Sequence, residues 1–204
     1  MRELVIDCAT EACSVALFED GALLAGECLM LGRGHAERLV PMIEALPGKG
    51  RAHRISVDSG PGSFTGIRVG LAAARALAFA WQVPVQGYAS LALVATMARC
   101  KRAGIAIDVV MSGGHGEWFF QPFAADGMPL ADVVSLAPDA VIETSRAGYV
   151  AGSQAGALGM ARGVPSMPLW PDARAFALLP DAALTPDPVP SYGRAPDARL
   201  PLAG

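Results

Sequence analysis

The chain has 204 residues, 52% of them hydrophobic, with 16 Lys and Arg against 19 Asp and Glu, so its net charge is −3. That length allows one domain or two small lobes sharing a core, and that composition excludes global disorder. The slight acidity excludes an ordinary free-standing nucleic-acid binder, which needs a basic excess to meet phosphates, so any RNA contact would be local or made through a partner.

Leu4-Val5-Ile6 is a short apolar run ending at Asp7, and Ser14–Phe18 is a second. Glu19-Asp20-Gly21 reads as a hairpin turn, with Gly21 free to take a positive φ, and Ala22–Cys28 reads as a third strand. A helix follows, in which His35, Leu39, Met42, Ile43 and Leu46 fall on one face, and Pro47-Gly48 ends it. Ile55-Ser56-Val57 predicts a fourth strand that enters a glycine-rich turn from Asp58. A long alanine- and leucine-rich helix is expected over Phe64–Ala80, a short strand at Val83-Pro84-Val85, and a helix over Ala89–Cys100. The order β-β-β-α-β-α-β-α departs from the βαβα alternation of a doubly wound dinucleotide fold.

The second half carries weaker signals. Ile105–Met111, Trp118–Phe123 and Tyr149–Ala151 read as strands, Asp126-Gly127 as a turn, and Gln154–Arg162 as a short helix weakened by Gly156 and Gly159. From Pro180 the prolines at 186, 188, 190, 196 and 201 predict an extended or loop-like tail outside the core. Two lobes are expected, an N-terminal one over 1–102 and a smaller C-terminal one over 103–204.

Cys8, Cys13, Cys28 and Cys100 form no C-x-x-C pair and read as buried free thiols, in keeping with a reducing compartment. Met1-Arg2-Glu3-Leu4 leads straight into a strand without a signal peptide, and Val69–Val85, broken by Arg75 and Gln82, is too short to span a bilayer. The expectation is a soluble, cytoplasmic protein.

The turn and the helix after it read Asp58-Ser59-Gly60-Pro61-Gly62-Ser63-Phe64-Thr65-Gly66-Ile67-Arg68-Val69-Gly70. A strand–turn–helix with backbone N–H groups at a helix N-terminus suits an anion. Thr65 stands where a P-loop begun at Gly60 needs its second glycine, with no lysine after it, and where a dinucleotide fingerprint also needs glycine, and Pro61 and Thr65 flank Ser63 where a nucleophile elbow needs glycines. Two readings stay open. Gly66, Gly70 and Ala74 share a small-residue helix face fit for close packing, within or between subunits, with Ser63 or Ser59 as cap. Alternatively Gly60, Gly62 and Ser63, with Asp7 and Thr10, contact a phosphate or nucleotide. His35, His53 and His115 show no metal-ligand spacing, so no metal site is expected. Asp7, Thr10, Ser14, Asp58 and the neighbours His115 and Glu117 lack the spacing of a catalytic set, so no catalytic residue is assigned.

At Gly60–Arg68 the sequence closely resembles the TsaB (YeaZ) family. Leu4-Val5-Ile6-Asp7 with Thr10 and Cys13–Leu17 resembles its "IDT…SVAL" start, and His35 with Leu39, Val40 and Pro41 its "H…LLP" helix. Tyr192–Arg199 resembles its "YLR-PDA" tail, with Gly193 in place of leucine. Ser112–Phe119 departs from the family's "DARRGEVY" strand, and the Asp-Ala-Arg element is lost.

The resemblance implies an α/β fold: a two-lobed, degenerate actin-like or ribonuclease-H-like (ASKHA) architecture of mixed sheet flanked by helices. It implies a non-catalytic partner in making N6-threonylcarbamoyladenosine at position 37 of tRNAs that read ANN codons. TsaD would do the transfer and TsaE, an ATPase, would join them, with tRNA met through the complex. The expected interface, with TsaD or with a second copy when TsaD is absent, is His35, Leu39, Ile43, Gly66, Arg68, Gly70 and Ala74. No cofactor is expected of the chain alone, although ATP or ADP could sit at the complex junction. Two other readings stand beside this one. An independent actin-like ATPase or small-molecule kinase would use Asp7, Thr10 and the Gly60–Gly66 turn, and a metalloprotease would need bound zinc or iron.

Overall fold

The computed structural model describes residues 1–193. Three strands open it, β1 (Arg2–Asp7), β2 (Ala12–Glu19) and β3 (Ala22–Met30), then α1 (His35–Ala45), β4 (Arg54–Asp58), α2 (Phe64–Trp81), β5 (Val85–Tyr88) and α3 (Ser90–Lys101). The second half supplies β6 (Ile107–Ser112), β7 (Trp118–Phe123), β8 (Val134–Leu136), α4 (Pro138–Thr144), β9 (Val150–Ala151), α5 (Ala155–Arg162), β10 (Ser166–Met167) and β11 (Thr185–Pro186). The first sheet runs β11-β5-β4-β1-β2-β3 and the second β10-β9-β6-β7-β8. Both are mixed. β1 pairs antiparallel with β2 and parallel with β4, and β6 pairs antiparallel with β7 and parallel with β9.

The inner strands are apolar on both sides because both faces of each sheet are covered. Leu4, Ile6, Val15, Leu17, Ile55 and Val57 pack under α1 and α2. Val5, Ala16, Phe18 and Tyr88 pack on the other face against Leu93 of α3 and against Ala173 and Phe176. In the second sheet Ile107, Val109, Met111 and Phe119 meet Leu91, Val94, Ala95 and Ala98 of α3. Val110, Phe120 and Val150 face Val141 of α4 and Leu158 of α5. Helix α3 therefore contributes side chains to the cores of both sheets.

The two-lobed mixed-sheet architecture expected from the resemblance is the one observed. Its division is not a single cut near residue 102. After β10 the chain returns to the first sheet: the 3-10 turn Ala173–Leu178 packs on it, and β11 pairs antiparallel with β5. The segment from Pro180 is extended as expected, yet Thr185 and Pro186 extend the sheet and Pro188 is buried. The fifth strand lies at Val85–Tyr88, beyond Pro84, because proline has no N–H to give the ladder. Of the cysteines, Cys8 and Cys13 are buried, Cys28 is half-buried and Cys100 is exposed, which corrects the expectation that all four are buried.

Candidate functional site in the cleft between the sheets

The turns that follow β1 and β6 form the two walls of a cleft. The cavity there measures about 410 Å³. Its first wall is Ala9, Thr10 and Glu11 after β1, with Gly62, Ser63 and Phe64 at the start of α2. Its second wall is Ser112, Gly113, Gly114 and His115 after β6, with Phe119 of β7, and Tyr192 closes one side. A second hollow of about 370 Å³, among Phe120, Phe123 and Leu130, lies on the other end of β6. Its buried Asp108 accepts bonds from Ser145 Oγ and from the Arg146 and Ala147 N–H groups, which fixes the bend before β9.

The glycine-rich turn is shaped by close backbone approach. A Cβ on Gly62 would lie 1.9 Å from the Ala9 carbonyl oxygen, and one on Gly66 would lie 2.0 Å from that of Cys8. Helix α2 thus sits directly on the turn between β1 and β2, and the Ser63 N–H donates to the Ala9 carbonyl at 2.6 Å. Ser63 Oγ accepts from the Gly66 N–H at 3.2 Å and caps the helix. Gly60, at φ +101° before a cis Pro61, faces the C-terminal segment, where a Cβ would strike the Ser191 carbonyl oxygen at 2.2 Å. That segment is held by three contacts: the Ser191 N–H donates to the Ser59 carbonyl, Arg75 to the Pro188 carbonyl, and Arg68 Nε to Tyr192 Oη. Arg68 also stacks on Phe64, 3.6 Å from the ring centre.

Of the residues expected to meet a phosphate, Thr10, Gly62 and Ser63 do line the cleft. Asp7 and Gly60 do not. Asp7 is fully buried beneath it, accepting from Tyr88 Oη at 3.0 Å, with Asp58 beside it. Asp58 accepts from Ser90 Oγ at 2.7 and 2.8 Å and from the Gly60 N–H at 2.7 Å. Asp7 Oδ1 has no hydrogen-bond partner among the described residues, an unmet acceptor beside a second buried carboxyl. Burial, then the Asp58 charge, pushes Asp7 well above the usual carboxylate range. Burial pushes Asp58 up to about 6, opposed by the bonds from Ser90 and Gly60.

The expected interface set is also redistributed. His35, Leu39, Ile43, Gly66, Gly70 and Ala74 are all buried inside the chain, and only Arg68 is exposed. Helical periodicity identified the face correctly, but that face is turned to the sheet. His35 Nε2 bonds the Thr10 carbonyl at 2.9 Å, so the first residue of α1 holds the cleft turn in place. Glu11, Phe64, Ser112–Gly114, Phe119 and Tyr192 were not assigned from the sequence, although all but Glu11 fall within the compared motifs, and His115 was weighed with Glu117 and given no role. The end of the Tyr192 motif, from Arg194, lies outside the described residues.

A family model described as TsaD, tRNA N6-adenosine threonylcarbamoyltransferase, matches residues 30–168. The tRNA threonylcarbamoyladenosine biosynthesis protein TsaB of Escherichia coli is 34% identical over 131 residues, covering 62% of this chain and 56% of that protein. A solved Pseudomonas aeruginosa protein, described as similar to the peptidase YeaZ, superimposes with a TM-score of 0.79 at 26% identity, covering 95% of this chain and 99% of that one. The chain belongs to the TsaB/YeaZ family. The matches span about half the length of the curated family members. A more distant likeness, to the ethanolamine utilization protein EutJ of Carboxydothermus hydrogenoformans, has a TM-score of 0.52 at 13% identity and bears on the fold alone. In family terms, the "H…LLP" helix is the one that anchors the Thr10 turn, and the Gly60–Gly66 turn is the seat of that same loop.

Proposed function

We propose that the chain is a non-catalytic subunit in N6-threonylcarbamoyladenosine synthesis on tRNA. It docks on TsaD, and with it TsaE, and pairs with a second copy when TsaD is absent. Its contact with tRNA runs through that complex. The observation that carries the reading is the outer side of α2. Arg68, Ala72, Ala76 and Phe79 lie exposed along one stripe, with Phe79 at 81% exposure, and Phe64 at 54% extends it toward the cleft. Val40, at 61%, adds an apolar side chain on the neighbouring α1. Exposed aromatic and arginine side chains on one rigid element suit a protein partner. No described helix is long and apolar enough to cross a membrane.

Two experiments test it. Reconstitution of the tRNA modification with TsaD and TsaE should require this chain, and full activity without it sinks the proposal. Phe79→Asp should weaken TsaD binding at least tenfold, about 1.4 kcal/mol, with stability unchanged within about 0.5 kcal/mol. Unchanged affinity would remove α2 from the interface.

The cleft favours a second reading, an independent ATPase or small-molecule kinase, because Thr10, Gly62 and Ser63 face Gly113 and Gly114 across it. Calorimetric titration of the isolated chain with ATP tests this. Tight binding, with turnover lost in Thr10→Ala, would favour the enzyme over the subunit.

A further inference from the structure

We propose that Cys8 and Cys13 form a reversible oxidation site that closes to a disulfide when the chain meets a hydroperoxide. The two sulfurs lie 3.5 Å apart in the buried core under the cleft. Cys8 directly follows β1 and Cys13 lies in β2. The register that sets Asp7 opposite Ser14 makes them the next facing pair. Facing residues of antiparallel strands have Cα atoms about 4.5–5.5 Å apart, inside the range of about 4.4–6.8 Å that a disulfide spans. Rotation of two side chains is then sufficient to bring the sulfurs to bonding distance. Neither thiol is tied to another side chain: each has the other as its only side-chain hydrogen-bond partner among the described residues.

The environment orders the two steps. The hydrogen bond from Cys8 lowers Cys13 below the usual thiol range, while that same bond and burial push Cys8 well up. We assign Cys13 as the thiol that attacks, reached when the Ala9–Glu11 turn opens locally, since neither cysteine is more than 1% exposed. Its sulfur takes the terminal oxygen of the hydroperoxide, the O–O bond breaks, and an alcohol or water leaves. The product is a sulfenic acid on Cys13. The Cys8 sulfur then attacks the Cys13 sulfur, loses its proton, and releases the sulfenic oxygen as water. Two thiols are oxidised to one disulfide, and one hydroperoxide is reduced. Cys28 lies outside this pair, and burial pushes it up to about 11, so it stays a thiol near neutrality. The bond would close a ring around residues 9–12, of which Ala9, Thr10 and Glu11 form part of the first wall of the cleft. In a glutathione-buffered compartment the bond would form only under peroxide and would be undone by thiols.

The test uses the full chain. After exposure to hydrogen peroxide the protein is denatured, alkylated with N-ethylmaleimide and weighed. The untreated chain should take four adducts, one per cysteine, and the treated chain two, with a peptide map linking Cys8 to Cys13. Dithiothreitol should restore all four. Retention of four adducts, links through Cys28 or Cys100, or loss that dithiothreitol does not reverse would each overturn the proposal. In a Cys8→Ala, Cys28→Ser, Cys100→Ser variant, Cys13 should stop at the sulfenic acid and be trapped by dimedone. Absence of that adduct would overturn the assignment of Cys13 as the attacking thiol.

Discussion

Leaving aside the returning strand β11, the first sheet lies in the order β3-β2-β1-β4-β5, and the second in the order β8-β7-β6-β9-β10. Each is an antiparallel meander followed by two parallel strands, with helices in the same intervals of the chain. The corresponding strand ends meet at the cleft and carry different chemistry. The first has Asp7 and Asp58, two buried carboxyls sharing a site. The second has Ser112 and Ser153, whose hydroxyls lie 3.2 Å apart and take a further bond from Gln154 Nε2. The helices differ too: α2 has 18 residues and sits with Gly66 against backbone, whereas α5 has 8. One topology thus yields a tightly seated wall above a buried carboxyl pair and a second wall beside a serine pair, whose hairpin turn is open around Gly116. A glycine-rich sequence that looks made for phosphate is in fact spent largely on seating α2.

The comparison can be broken most directly at its tightest point. Gly62→Ala and Gly66→Ala push a methyl into carbonyl oxygens at 1.9 and 2.0 Å, and backbone cannot give way cheaply. Each should cost more than about 3 kcal/mol in urea unfolding. A loss under about 1 kcal/mol would show that α2 is not seated as described.

The carboxyl pair gives the next effect. Asp58, at about 6 when folded, binds a proton that the unfolded chain with its ordinary 3.8 has released. Stability from this group is therefore present at low pH and is lost as pH rises between those values, by on the order of 3 kcal/mol in all. Asp58→Asn removes that titration and keeps Oδ1 as the acceptor for Ser90 Oγ and the Gly60 N–H. It should flatten that slope and raise stability at about pH 8. A slope unchanged in Asp58→Asn would place its origin elsewhere.

Smaller effects separate the two walls. Gly116, in the turn of the second wall, has φ +81° and open space around its Cβ position. Gly116→Ala should cost about 1 kcal/mol, from backbone conformation alone. Gly70→Ala should be neutral or stabilise by up to about 1 kcal/mol, because its Cβ would meet only ordinary contacts at 3.5 Å and beyond and helix propensity favours alanine. Thermal melts would check both. A large loss at Gly70 would mean that Gly66 and Gly70 form one equivalent face, as their spacing suggests.

The elements of the first half were legible because they are long and periodic. His35, Leu39, Met42, Ile43 and Leu46 mark a helix face, and Leu4-Val5-Ile6 a strand, whatever they pack against. In the second half β8, α4 and β10 escaped the sequence reading: strands of two or three residues carry no period, and α4 is a single seven-residue piece started by Pro138. The return of Ala173–Leu178 to the first sheet escaped as well, because a contact between residues more than 150 positions apart leaves no local mark; Ala173 N–H donates to Ser14 Oγ.

By itself the sequence determined that this is an α/β chain with a three-strand opening, two long helices and a family-specific turn at Gly60–Gly66. Those features follow from local periodicity, turn chemistry and the identity of a short motif. Only the tertiary structure decided which way each face points. Burial turns His35, Leu39, Ile43, Gly66, Gly70 and Ala74 inward, leaving the opposite side of α2 exposed. The same packing moves Asp7 from the cleft to a buried carboxyl pair and sets Cys8 against Cys13. A helix face and a strand register fix which residues travel together, but whether they meet solvent, core or each other depends on what the rest of the chain lays over them.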